Sequence, residues 1–183
     1  MPTENLAFDL LHDIQEQALS AAEYAAQLRP TSRSQRVVAF VVAGQRFFCD
    51  ASMVKEVAVA QEFIGLPKTK PWLKGLHNSK GVLHSVVDLA LLADSERSTA
   101  TQRGHIMLIN HPSRQCALLV NRVIGFRQFD MQADVSNMLD QTSEHWWDSL
   151  SEFITSQLVE DNQTWLLLDV TQLIESEVFL EVQ

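Results

Sequence analysis

The chain has 183 residues, with 14 Lys and Arg against 23 Asp and Glu, a formal net charge of −9 and 46% hydrophobic residues. That composition fits a soluble globular protein, either one domain or two small units sharing a core. It argues against a protein that coats nucleic acid, because phosphate binding needs clustered Lys and Arg.

Residues 5–28 are predicted to form a helix. Ala7, Leu11, Ile14, Ala18, Ala21, Ala25 and Leu28 recur in alternating steps of four and three, which keeps them on one face. Asn5 is the expected N-cap and Pro30 the stop. The stripe is mostly alanine, so it packs either on the body of the protein or on a partner. The opening MPTENLAFDLL has no basic leader before an apolar stretch, so no secretory signal is expected. No apolar run approaches the roughly 20 residues of a membrane helix, and no direct membrane insertion is expected. Residues 1–35 read as a helical extension with a polar linker, and residues 36–183 as the main body.

After the linker the pattern changes to short strands. Residues 37–42 (VVAFVV) form an apolar run of strand length. Ala43-Gly44-Gln45-Arg46 reads as a hairpin turn, with Gly44 as the permissive residue. Phe47-Phe48-Cys49 opens the next strand, and residues 52–59 are open between strand and helical turn. Gly75 and Gly81 are predicted to bracket a tight turn before a strand over 82–89, with a helical turn over 89–92. Residues 93–104 are the expected junction between two subdomains. Further strands are predicted over 105–110, 116–124, 126–129, 152–159 and 164–170, and a final helix over 171–178 capped by Thr171. Many short strands with regular turns point to a mainly β fold of barrels or sandwiches. Asp88 and Asp169 each end an apolar strand before a helical turn, which suits a helix N-cap.

Catalytic signatures are missing. The sequence holds no GxxxxGK[ST] loop, GxGxxG fingerprint or GxSxG elbow. The six histidines show no HExxH or HxH spacing. Cys49 and Cys116 lie among apolar neighbours without CxxC spacing, so they read as core thiols in a reducing compartment. No catalytic residue, metal site or cofactor is assigned, and the expected location is the cytoplasm.

From Val38 onward the chain resembles the CheW-like coupling domain of bacterial chemosensory systems. Phe40 to Asp50 (FVVAGQRFFCD) is similar to that family's opening hairpin F-x-L-x-G-x-x-F-A-V-D. Val54-Lys55-Glu56-Val57 is similar to its V-x-E-[IV] element, and Leu66-Pro67 to the LP of its next loop. Residues 74–89 (KGLHNSKGVLHSVVDL) resemble the hallmark K-G-V-x-N-L-R-G-x-I-x-P-V-x-D-L. Leu118 to Val123 (LLVNRV) resembles G-L-L-V-D-x-V, and Leu166 to Leu173 (LLLDVTQL) the closing L-L-L-D-x-x-x-L. The leader FDLLHDI at 8–14 resembles that of the pilus-type, PilI-like adaptors of type IV pilus twitching motility.

The resemblance implies two intertwined five-stranded SH3-like barrels, with an N-terminal helix and short connecting and C-terminal helices. It implies a non-enzymatic adaptor. One partner is the regulatory domain of a CheA-type histidine kinase, and the other the cytoplasmic tip of a methyl-accepting chemoreceptor. The implied location is the membrane-associated, polar chemosensory arrays. The receptor-facing residues it implies are Glu56, Asn78, Lys80 and Val86. Trp146 and Trp147 are candidate partner anchors, because tryptophan often serves at interfaces; on an extended segment they point to opposite faces, so one of the two is expected in the core. Gly44, Gly75, Gly81, Asp88 and Asp169 are expected to be backbone and cap devices. The chain departs from the hallmark at Ser79, Lys80, Ser85 and Asn121, where the family has Leu, Arg, Pro and Asp. The alternatives are a small-ligand sensor on the same fold and an adaptor of a flagellar chemotaxis system.

Overall fold

The computed structural model describes residues 34–94, 104–130, 135–136, 145–160 and 162–181. The helix expected over 5–28 lies outside them. The first strand, β1 (Ser34–Val42), turns through Ala43 and Gly44 into β2 (Gln45–Asp50). Both turn residues have positive φ, 44° and 87°, as a two-residue hairpin of this hand requires. A one-turn 3-10 helix, Ala51–Met53, leads to β3 (Val54–Val59). Strands β4 (Leu73–Ser79) and β5 (Val82–Asp88) form the next hairpin, followed by a helix at Leu89–Ala93. Then come β6 (His105–Ile109), β7 (Cys116–Val120), β8 (Arg122–Asp130) and the two-residue β9 (Val135–Ser136). After a 3-10 helix at Asp148–Phe153 come β10 (Ile154–Glu160), β11 (Gln163–Leu168) and the helices Val170–Glu175 and Glu177–Leu180.

The strands form two sheets, one ordered β8-β1-β2-β11-β10-β9 and the other β3-β6-β7-β5-β4. Apart from β9, the two orders are the same motif. Each has a single parallel pair at the same place, β2 with β11 and β5 with β7. The second sheet runs continuously through the chain, whereas the first borrows the opening hairpin β1–β2 to complete its C-terminal strands. The barrels are therefore intertwined. The junction expected at 93–104 is corrected: β5 and β6, on its two sides, belong to one sheet. The chain changes sheet instead at the 3-10 turn Ala51–Met53 and at Asn121.

Burial explains why the central strands read as unbroken apolar runs. Val37 and Ala39 face a cluster with Phe48, Phe129, Leu158 and Trp165, inside the first sheet. Their neighbours Val38, Phe40 and Val42 face the cluster shared between the sheets. In the second sheet, Ile106, Leu108, Ala117 and Leu119 face its own interior, and Met107, Ile109, Cys116, Leu118 and Val120 face the shared cluster. A strand buried on both faces has no polar alternation to show. Each fully buried large side chain contributes about 1.5–3 kcal/mol.

Two further expectations are corrected and one open reading is settled. The strand expected over 116–124 breaks at Asn121, which accepts the Ala43 N–H on its Oδ1 at 2.6 Å and donates its own N–H to the Val41 carbonyl at 3.0 Å. Residues 54–59 are strand, because the helical turn stops at Met53. The last helical segment is two short helices capped by Asp169 and Ser176, not one capped by Thr171.

Candidate functional site

The hairpin β4–β5 turns through Lys80 and Gly81, at φ 52° and 86°. This two-residue turn favours Asn or Asp followed by Gly. Lysine in that position is strained, and a neighbour compensates: Asn78 accepts the Gly81 N–H on its Oδ1 at 2.8 Å. The turn thereby aims Lys80 across the end of the barrel to Glu56 on β3, where its Nζ donates to the carboxylate at 2.7 Å. The Lys80 side chain is 80% exposed and that of Glu56 34%. The Lys80 hydrogen bond and charge hold the Glu56 carboxyl below its ordinary value, with smaller help from Lys55 and His77. Three of the four residues singled out as receptor-facing, Glu56, Asn78 and Lys80, thus gather at one barrel end.

Val86 does not join them. It is fully buried with Ile106, Leu108, Ala117 and Leu119, so the expectation of a receptor contact is corrected to a core role. Its side chain points into the barrel, on the face opposite that of Val87, which packs in the shared cluster. Trp147 is likewise corrected: it is buried in the shared core and stacks on His145 at 4.6 Å. Trp146 is half-buried and meets Phe47 edge-on at 6.4 Å, so it too is packed and not a free anchor. Both rings can pack because the chain turns here into the 3-10 helix at Asp148–Phe153 and is not extended.

Gly75 is no turn residue. It sits in β4 at φ 129°, and a Cβ there would meet the Ile64 carbonyl oxygen at 2.2 Å. Asp88 accepts the N–H groups of Ala90 and Leu91, and Asp169 that of Gln172, so both cap helices. The departures from the hallmark also have local uses. Ser85 donates its N–H to the Gln115 carbonyl at 3.0 Å, a bond that a proline cannot make. Asn121 keeps the side-chain oxygen that an aspartate would offer to Ala43.

The sequence reading missed the exposed apolar side chains on the elements that carry the pair. Val57 and Val59 on β3, Ile64 and Leu66 in the following loop, and Val82 and Leu83 beside the turn are all exposed. The alternation along β3 carried that signal for Val57 and Val59.

Other chemistry is muted. Burial pushes the Cys49 thiol up to about 12, with the nearby Asp50 charge adding, and burial pushes Cys116 up to about 11. Neither is a nucleophile. An open cleft is lined by Asp50, Ser52, Asp169 and Thr171. Its Asp50 carboxylate already accepts from Ser52 N and Oγ and from Gln35 Nε2. Among the described residues no group of three or more His, Cys, Asp or Glu could hold a metal, and no helix is long and apolar enough to cross a membrane.

Comparison with known proteins agrees with this architecture. The scaffolding protein TtCheW from Thermoanaerobacter tengcongensis superposes with a TM-score of 0.64 at 17% identity, over 79% of this chain and 95% of that one. Protein PilI of Pseudomonas aeruginosa is 25% identical over 175 residues, spanning 96% of this chain and 95% of PilI. The model of the CheW-like domain matches residues 36–178. The chain therefore belongs to the CheW-like family, whose members are non-enzymatic scaffold adaptors.

Proposed function

We propose that this adaptor couples the cytoplasmic tip of a methyl-accepting chemoreceptor to the regulatory domain of a CheA-type histidine kinase, at membrane-associated arrays. We infer further that the system served is one controlling type IV pilus twitching motility. The observation that carries the coupling role is the exposed Glu56–Lys80 pair, held by a turn with exposed Val82 and Leu83 beside it. This arrangement gives a helical receptor tip both apolar contact and a charge to align with. The pilus assignment is supported by likeness to PilI along almost the whole of both chains.

The test is a calorimetric titration of the chain into the kinase regulatory domain and, separately, into a receptor-tip fragment. Saturable one-to-one binding of both is expected. Lys80→Glu is expected to weaken receptor binding while leaving kinase binding intact. Equal loss of both would show that the turn is only structural.

A further inference from the structure

We propose that the charged end of the first barrel binds a carboxylate presented by a protein partner, an acidic side chain held by Arg46. Trp165 is 1% exposed and lies in the interior cluster of that barrel with Phe48 and Phe129. Two guanidiniums cover its ring, Arg46 with Cζ at 5.0 Å from the centroid and Arg127 at 5.1 Å. Stacking on indole fixes a guanidinium plane while leaving its edge free to donate.

The two arginines are not equivalent. Arg127 donates to the Glu160 carboxylate at 2.6 Å. Arg46 has no side-chain hydrogen bond or ion pair among the described residues; its contact is the Trp165 ring. The Trp165 Nε1–H is buried and also lacks an acceptor. Among the described residues, the Trp165 ring thus gathers two guanidiniums and one carboxylate paired to Arg127, in a chain of net charge −9. A half-buried planar fork with all its donors unused is a site for a planar anion.

The arrangement is particular to this barrel. Trp165 stands four residues before the capping Asp169, and the matching place before Asp88 is taken by His84, whose Nδ1 lies 3.1 Å from the Val82 carbonyl. The Glu160 carboxylate, held by Arg127 on the same ring, disfavours a doubly charged phosphate more than a single carboxylate. A single unpaired fork, half-buried in an acidic chain, is complementary to one acidic side chain of a protein segment. The site is independent of the coupling role proposed above.

The probe is hexaglutamate, titrated into the full chain at low salt and followed by calorimetry and tryptophan fluorescence. Saturable binding that weakens with salt is expected. Arg46→Gln is expected to lower the affinity about tenfold, and Arg122→Gln, an exposed arginine of β8, to leave it within about twofold. If Arg46→Gln fails to unfold cooperatively, Arg46→Lys decides, because it keeps the charge and loses the fork. Weaker binding by Arg46→Lys supports the site, and unchanged binding overturns it. No binding by the wild type, equal loss in Arg122→Gln, or binding of inorganic phosphate without hexaglutamate would each overturn the proposal.

Discussion

Gly75 and Ile64 meet backbone to backbone: a side chain at Gly75 would stand 2.2 Å from the Ile64 carbonyl oxygen. At that point Ile64 and Leu76 exchange both backbone hydrogen bonds, each 2.9 Å. This bridge joins β4 to the chain leaving β3, so it closes the second sheet on itself. Gly75→Ala is expected to cost about 2–4 kcal/mol, combining strain at positive φ with a backbone clash. Gly44→Ala has open space around it and is expected to cost about 1–2 kcal/mol. Urea unfolding of both variants checks the difference, and equal losses would remove the close-contact explanation.

The two capping aspartates differ in depth. Asp88 is fully buried and accepts from two N–H groups, whereas Asp169 is half-buried and accepts from one. Asp169→Ala is expected to cost about 1 kcal/mol. Asp88→Ala is expected to cost more, about 2–3 kcal/mol, because buried donors lose their acceptor. The same urea series measures both, and a larger loss for Asp169→Ala would contradict the geometry.

Lys80 separates turn geometry from charge. Lys80→Asn suits a turn position with positive φ, so stability is expected to stay within about 0.5 kcal/mol of the wild type. Receptor-tip affinity is expected to fall about tenfold from loss of the cation alone. Lys80→Glu sets two carboxylates against each other and is expected to lose more. Calorimetry with a receptor-tip fragment reads all three, and wild-type affinity in Lys80→Asn would assign the contact elsewhere.

Acid sensitivity follows from two carboxylates. Hydrogen bonds from the Ser52 hydroxyl and N–H and from Gln35 hold the Asp50 carboxyl below its ordinary value, and Lys80 does the same for Glu56. A carboxyl lowered by folding stabilises above its unfolded value, and that stability is lost as pH falls through the folded value. The loss is therefore expected below about pH 4. Asp50→Asn is expected to be less stable than the wild type at neutral pH and to approach it in acid. Urea midpoints across that range test the convergence; a gap that widens on acidification would contradict it.

The mainly β class, the β1–β2 turn and the helices after Asp88 and Asp169 were legible, because local chemistry sets each of them. Positive φ at Gly44 and a carboxylate before a helical turn act within a few residues. What the sequence hid depends on distant contacts. Gly75 looked like a turn residue because a turn and a close backbone approach make the same demand for glycine. Asn121 was lost inside an apolar run because the buried Val120 precedes it and the half-buried Val123 and Ile124 follow it, in different sheets. Val86 was placed at the surface because a motif match carries no face. The partner of Glu56 lies 24 residues away across the barrel end, beyond any local spacing rule.

Coupling is tested most directly by sedimenting receptor-bearing membranes with a CheA-type kinase, with and without this chain. The kinase is expected to sediment only when the chain is present, and Lys80→Glu is expected to abolish the effect. Kinase retained equally without the chain, or a folded chain that binds neither partner, would contradict the coupling role.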